Sequence, residues 1–307
     1  MLGYALRRML GVFPTFLVIV AAAFFLMRAA PGGPFDAEQT LPPEIEANLQ
    51  AAYGLDQPVA VQFARYLRGL TRGDLGPSFR MKDFTVAELI GRGLPVTLAI
   101  GAAALAVALL VGVPLGMVAG LRQNSGADHA VMSLALAGIA VPNFVLAPVL
   151  ALVFGLYLGW LPVAGWEPGS LRHLVLPVAT LALPFVAYVA RLTRGSLLEV
   201  LQSAYIRTAR AKGLAVRVIL RRHALRPTLL PVVSFLGPAA AGLLTGSLVV
   251  EQVFGLPGVG RYFVQGAINR DYTLVMGMVV FYAALILLLN LVVDLLYGWL
   301  DPRIHHD

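Results

Sequence analysis

The chain has 307 residues, 59% apolar and 13% charged, with a formal net charge of +7 and no cysteine, and its mean hydropathy is +0.80. Soluble globular chains are nearer half apolar and a quarter charged, so this composition excludes a disordered chain, a disulfide scaffold and most cytosolic enzymes, and makes the lipid bilayer the solvent to reason with. In that setting the positive charge matters through its distribution between connecting loops.

A helix needs about 20 apolar residues to cross the hydrocarbon layer. Six stretches reach or approach that length: 9–27, 94–121, 130–160, 174–190, 228–250 and 272–293. The first follows Arg7 and Arg8 and runs toward the small residues Ala29 and Ala30, as a signal peptide would. Its apolar run exceeds the roughly 7–15 residues of a cleaved leader, so an uncleaved helix is expected. The second carries Gly112, Gly116 and Gly120 and the fifth Gly242 and Gly246; this four-residue spacing lets helices approach closely, within the chain or against a partner. The third contains Pro142 and Pro148 and reads either as one kinked helix or as a helix followed by a re-entrant piece. Proline removes a backbone donor, so Pro142 is expected to mark an irregularity facing protein or a cavity.

Lys and Arg set orientation. With the N-terminus inside, six crossings return the C-terminus inside and place the 191–227 connection there too. That connection holds nine basic residues and one acid, Glu199, whereas the outer 31–93 connection holds six basic and eight acidic residues. Attraction to the membrane surface accounts for the basic loop as readily as a binding role does. The expected organisation is a first span over 1–30, an outer helical segment over 31–93, a membrane core over 94–293 that includes the inner loop 191–227, and an inner tail over 294–307.

The outer segment reads as short amphipathic helices. Pro42 and Pro43 can open one, with Glu44 and Glu46 in its first turn and Gly54 at its end. Asp56 suits the N-cap of a second, whose apolar face is Phe63, Tyr66, Leu67 and Leu70 and which Gly73 ends. Thr85 and Glu88 have capping-box spacing. Such a segment is either a lid over the outer mouth or a packed cap without a gating role. In the inner loop, 197–213 reads LLEVLQSAYIRTARAKG, with Leu197, Leu201 and Ala204 on one stripe and Arg207 and Arg210 on the polar side. Ala209, Ala211 and Gly213 are small enough to seat deeply in another protein's groove, and Gly213 can reverse the chain.

Several chemistries are missing from the sequence. A phosphate-binding P-loop needs Gly-Lys followed by Ser or Thr, and neither lysine, Lys82 or Lys212, follows glycine. No HExxH occurs and the five histidines lack zinc spacing. No catalytic residue, metal ligand or bound cofactor is therefore expected in this chain. Proton-driven carriers place carboxylates or histidines within their spans. Here Arg28, Glu251, Asp271 and Asp294 fall at predicted span ends. A secondary transporter, an intramembrane enzyme and a receptor-like scaffold are the rival readings, and the first two are disfavoured by these absences. The chain reads as a pathway powered from elsewhere.

The runs SAYIRTARAKGL and RRHALRPTLLPV resemble the cytoplasmic-loop signature of ABC importer permeases of the peptide and nickel family. VVEQVFGLPGVGRYFVQGAINRDY and the ending NLVVDLLYGWLDPRI look like the same family. TLPPEIEAN, GDLGPSF, LPVAGW and EVLQSAYIRTARAKGL are most similar to the B-type permease subunits of bacterial oligopeptide importers. The resemblance covers nearly the whole chain, in order. It implies an all-α, polytopic membrane protein with six transmembrane helices, the type I ABC importer permease fold, in the bacterial inner membrane with both termini cytoplasmic. It also implies a second homologous permease, two cytoplasmic ATPases that bind ATP and Mg, and a periplasmic peptide-binding protein, with lipid around it and no nucleic acid. Related permeases carry dipeptides, glutathione or nickel. The segment Tyr205, Arg207, Thr208, Ala209, Arg210, Ala211, Lys212 and Gly213 would be the coupling helix seated in an ATPase cleft. Ala209 and Gly213 would be its close-packing positions, and Arg207, Arg210 and Lys212 its polar contacts. The glutamate that opens the general importer loop motif is absent, and the motif's closing proline aligns only loosely with Pro227 or Pro231. Pro142, Asn143 and Phe144 either line the path or form an ordinary kink. Glu251 with 254–262 either gates the outer mouth or forms a structural turn.

Overall fold

The computed structural model describes residues 2–29, 54–81 and 83–300. The helix expected to start at Pro42 and Pro43 lies outside them. Apart from one antiparallel bridge between Pro77 and Thr85, the regular structure of the described residues is helical. In chain order the helices are α1 (Leu2–Ala29), α2 (Val59–Leu70), α3 (Val86–Leu121), α4 (Gly126–Ala140), α5 (Asn143–Leu150, continued by a π-helical stretch Ala151–Tyr157) and α6 (Leu171–Gln202). There follow α7 (Ala204–Ala211), α8 (Val216–Val253, with a π-helical stretch at Ile219–Ala224), α9 (Val259–Ile268) and α10 (Tyr272–Leu300).

Among the described residues five helices are long and apolar enough to cross a membrane: α1, α3, α6, α8 and α10. The sixth crossing is the pair α4 and α5, bent by 103° at its break. The bend has a local cause. A residue before proline is pushed out of the helical region, and Val141 sits at ψ 115 with Pro142 at ψ 146. The Pro142 carbonyl then opens α5 by accepting from the Val145 and Leu146 N–H groups at 2.9 and 3.0 Å. Pro114, Pro177 and Pro231 remain inside continuous helices.

The glycine stripe of α3 packs within the chain. A side chain at Gly112 would meet Val186 and Val189 of α6, one at Gly116 would meet Ala190 and Thr193, and one at Gly120 would meet Leu197. Both sets of numbers rise together, so α3 and α6 run parallel in close contact. Antiparallel neighbours complete the bundle: α8 lies on α6 through Phe185 and Phe235, and α1 lies on α10 through Val20, Phe24, Met276 and Val280.

α2 presents Phe63, Tyr66, Leu67 and Leu70 to the α1–α10 cluster, as its pattern predicts. Its N-cap is Pro58, not Asp56. Proline's fixed φ and missing N–H suit a helix start, and the chain enters α2 without a side-chain cap. Thr85 and Glu88 form both bonds of the capping box at the start of α3. Asp271, fully buried, ties the segment before α3 to the start of α10: its carboxylate accepts from Ser78 Oγ at 2.5 Å, the Arg80 N–H at 3.2 Å and the Leu274 N–H at 3.0 Å.

Candidate functional site

α7 forms because the chain breaks at Ser203. Its backbone is extended there (ψ 153), and its hydroxyl donates back to the Val200 carbonyl at 2.6 Å. The 197–213 run is thus not one helix: Leu197 and Leu201 end α6 and Ala204 begins α7. The expected stripe stops at the break: Leu197 and Leu201 pack inward, Ala204 is exposed, and Ile206 and Ala209 form the apolar face of α7 in its place. Ile206 (0% exposed) and Ala209 (7%) seat α7 against Leu197 of α6 and Ile219 and Ala224 of α8, with Met117 of α3 alongside.

The other end is a Schellman cap. The Leu214 N–H reaches the Ala209 carbonyl at 3.3 Å and the Gly213 N–H the Arg210 carbonyl at 2.9 Å, with Gly213 at φ +76°. Only glycine adopts that conformation without cost, so the reversal expected at Gly213 occurs there.

These contacts divide the eight expected coupling residues. Ala209 faces the chain's own core, a correction to its expected place in an outside groove; the i to i+3 spacing from Ile206 turns both inward. Tyr205 (47% exposed), Arg207, Thr208, Arg210, Ala211, Lys212 and Gly213 point away from the bundle. The outcome is a one-sided plug, with an apolar base held by three helices and an aromatic, basic outer face that no element among the described residues covers.

Pro142, Asn143 and Phe144 cluster at the α4–α5 bend. Phe144 is 62% exposed, and Asn143 Oδ1 is buried without a hydrogen-bond partner. Glu251 lies elsewhere, near the end of α8 away from α7. At about 1.5 Å per helical residue the two ends of that helix are on the order of 50 Å apart. Fully buried, Glu251 accepts from Thr97 Oγ of α3 at 2.7 Å and from the Gly260 N–H at 2.7 Å, while Thr97 Oγ accepts from the Val259 N–H at 2.9 Å. Gly258 and Gly260 crowd the carboxylate so closely that a Cβ at Gly258 would lie 2.2 Å from Glu251 Oε2, and Gly93 of α3 packs directly on the Gly258 and Val259 backbone. The Glu251 carboxylate is thus enclosed, and with Thr97 it ties the 254–262 loop to α3.

One polar feature escaped the sequence reading. α6 continues beyond 190 through Arg191 and Arg194, because each cation finds a partner. The Arg191 guanidinium stacks on the Tyr188 ring. Arg194 binds Asp128 of α4 by two bonds, Nε to Oδ1 at 2.6 Å and Nη2 to Oδ2 at 2.7 Å. The one visible hint was Ser125 three residues before Asp128, a cap spacing that the structure realises. Nothing in the sequence pairs Asp128 with a residue 66 positions away.

Residues 112–306 match the family described as binding-protein-dependent transport system inner membrane component, and residues 1–101 match the N-terminal family of such membrane components. The chain is 49% identical, over the full length of both, to the oligopeptide transport system permease protein OppB of Escherichia coli K12. It is 43% identical to the dipeptide transport system permease protein DppB of Bacillus subtilis, covering 99% of this chain and 98% of that one. Among solved structures, an inward-facing methionine ABC transporter, MetNI, matches with a TM-score of 0.60 at 20% identity, over 69% of this chain and 96% of its own. At that identity the likeness concerns the fold.

Proposed function

This chain belongs to the inner membrane components of binding-protein-dependent transport systems, and from that premise we propose that it is the permease subunit through which an ATP-driven ABC importer passes oligopeptides across the bacterial inner membrane. Full-length identity of 49% to an oligopeptide permease, against 43% to a dipeptide permease, supports the oligopeptide reading. The observation that carries the mechanism is α7: a short helix anchored on α6 and α8 whose outer face is exposed and uncovered among the described residues.

In this reading the exposed face of Tyr205, Arg207, Thr208, Arg210, Ala211 and Lys212 docks in a cleft of a cytoplasmic ATPase. Gly213 lets the chain leave that cleft abruptly. ATP and Mg are bound by the two ATPases; their closure moves the cleft, and α7 passes the motion to α6 and α8. The α7 end is cytoplasmic, as the basic 191–227 loop supports, with both termini on that side. A second, homologous permease lies against the exposed side of α4 and α5, so that Pro142, Asn143 and Phe144 border the path between the two subunits. A periplasmic binding protein delivers peptide at the other end.

Uptake of labelled oligopeptides by proteoliposomes holding the complete complex tests the proposal. Import is expected with ATP and binding protein, and loss of ATPase association and import with Gly213→Trp. Uptake by this chain alone under a proton gradient, with no ATPase present, would overturn it.

A further inference from the structure

On either side of their bend, α4 and α5 pack on adjoining stretches of α6. α5 and its π-helical extension belong to the core away from α7: Ala147 and Ala151 pack with Ile100 of α3, Leu176 and Leu181 of α6, and Val250 of α8. α4 lies instead along the other half of α6. A Cβ at Gly138 would be at ordinary contact distance, 3.5 Å, from Ala187 and from the Leu183 carbonyl. Ten residues earlier on α4, Asp128 holds Arg194.

The two ends of this contact differ in kind. Small apolar surfaces resist separation but allow sliding along the helix axis. A guanidinium fork on a carboxylate fixes distance, rotation and register together. The carboxylate is itself held from its own side: Oδ2 accepts from the Asn124 N–H at 2.9 Å, and Ser125 Oγ caps the Asp128 N–H at 3.3 Å. Asp128 is 1% exposed. The fork is thus a rigid joint between α4 and α6.

Arg194 stands one turn before Leu197, the α6 residue on which Ile206 and Ala209 of α7 rest. On the same stretch of α6, Gly116 and Gly120 of α3 are in close contact with Ala190, Thr193 and Leu197. Displacement of α7 therefore reaches Leu197 directly and Arg194 within the same helix.

We propose that the Asp128–Arg194 pair is a positioning clamp that makes α4 follow α7, so that movement of the ATPases swings α4 about the Val141–Pro142 bend while α5 stays with the opposite core. Neither residue touches peptide or ATPase. Their role is to convert displacement of the coupling helix into a change of angle at the bend that carries Asn143 and Phe144. The inference rests on the importer reading above.

The test uses the complete complex in proteoliposomes and reads peptide imported per ATP hydrolysed, for Asp128→Asn, Arg194→Lys and the exchange Asp128→Arg with Arg194→Asp. Wild type imports if the importer reading is right; absence of wild-type import would count against that reading, not against the clamp alone. Asp128→Asn and Arg194→Lys are expected to assemble and hydrolyse ATP, yet to import at least about fivefold less peptide per ATP, the lower bound of usual inter-site coupling. The exchange is expected to recover part of the loss. Lysine keeps the charge but not the fork, so a defect in Arg194→Lys separates geometry from charge. Assembled variants with wild-type import per ATP would overturn the clamp. Failure of both single variants to assemble would do the same, by assigning the pair to assembly.

Discussion

Replacing Gly116 with alanine tests the packing that joins α3 to the helix carrying α7. The added Cβ would lie 2.4 Å from the Ala190 carbonyl oxygen and 2.6 Å from Thr193 Cβ. The first obstacle is backbone and cannot rotate aside. Ordinary contact begins at 3.4 Å, so the two helices must part by about 1 Å at this level in an interior packed at crystal density. Overpacking of this kind costs about 1–3 kcal/mol, and a gap of that size forfeits about a quarter to a half of each neighbouring dispersion contact, at Gly112 and Gly120 as well. Alanine's helix preference returns only about 0.5–1 kcal/mol.

Two other glycines calibrate the effect. Gly120 is crowded only by the Leu197 side chain, at 2.9 Å to a terminal methyl that can rotate, and Gly195 of α6 has nothing within 4 Å. Heating the purified complex in detergent and following the intact fraction by size exclusion gives a midpoint for each variant. Gly195→Ala is expected at or above wild type and Gly120→Ala near it. Gly116→Ala should fall by several degrees, at roughly 2–4 °C per kcal/mol. A Gly116→Ala midpoint equal to that of Gly120→Ala or of wild type would refute the close approach of α3 and α6.

The Glu251 anchor is expected to be structural in its effect: Glu251→Ala strands Thr97 Oγ and the Gly260 N–H in a buried site, at about 1–3 kcal/mol for each group, and should raise proteolytic cleavage within 254–262, whereas unchanged cleavage would contradict the pinned loop. On α7 the two faces should separate cleanly. Ile206→Ala is expected to lower thermal stability by about 2–5 kcal/mol, while Tyr205→Ala leaves stability unchanged and weakens ATPase retention during purification; the reverse pattern would mean that α7 is turned the other way.

Much of the architecture was legible in the chain because lipid imposes a simple requirement. Every backbone donor within the bilayer must be satisfied inside its own segment, so six apolar runs announce six crossings without reference to any partner. Local rules served equally well: the Thr85–Glu88 box, the reversal at Gly213 and the apolar face of α2 each depend on residues a few positions apart. The resemblance of SAYIRTARAKGL pointed to α7 in the same local way.

What the sequence left open depended on contacts between distant residues. The break at Pro142 was visible as an irregularity, but neither its 103° angle nor the seating of Ala147 and Ala151 against Ile100, Leu181 and Val250 was. Ala209 reads as a small outward residue until Ile206 is seen to share its face against Leu197, Ile219 and Ala224. Glu251 reads as a mouth residue until Thr97, 154 positions earlier, and the glycines at 258 and 260 are found around its carboxylate. Arg194 and Asp128 read as unrelated charges until the parallel approach of α3 and α6 brings α4 alongside. Spans, caps and turns obey backbone rules that act over a few residues. Which face is inward, and which charge meets which, is decided only when the helices pack.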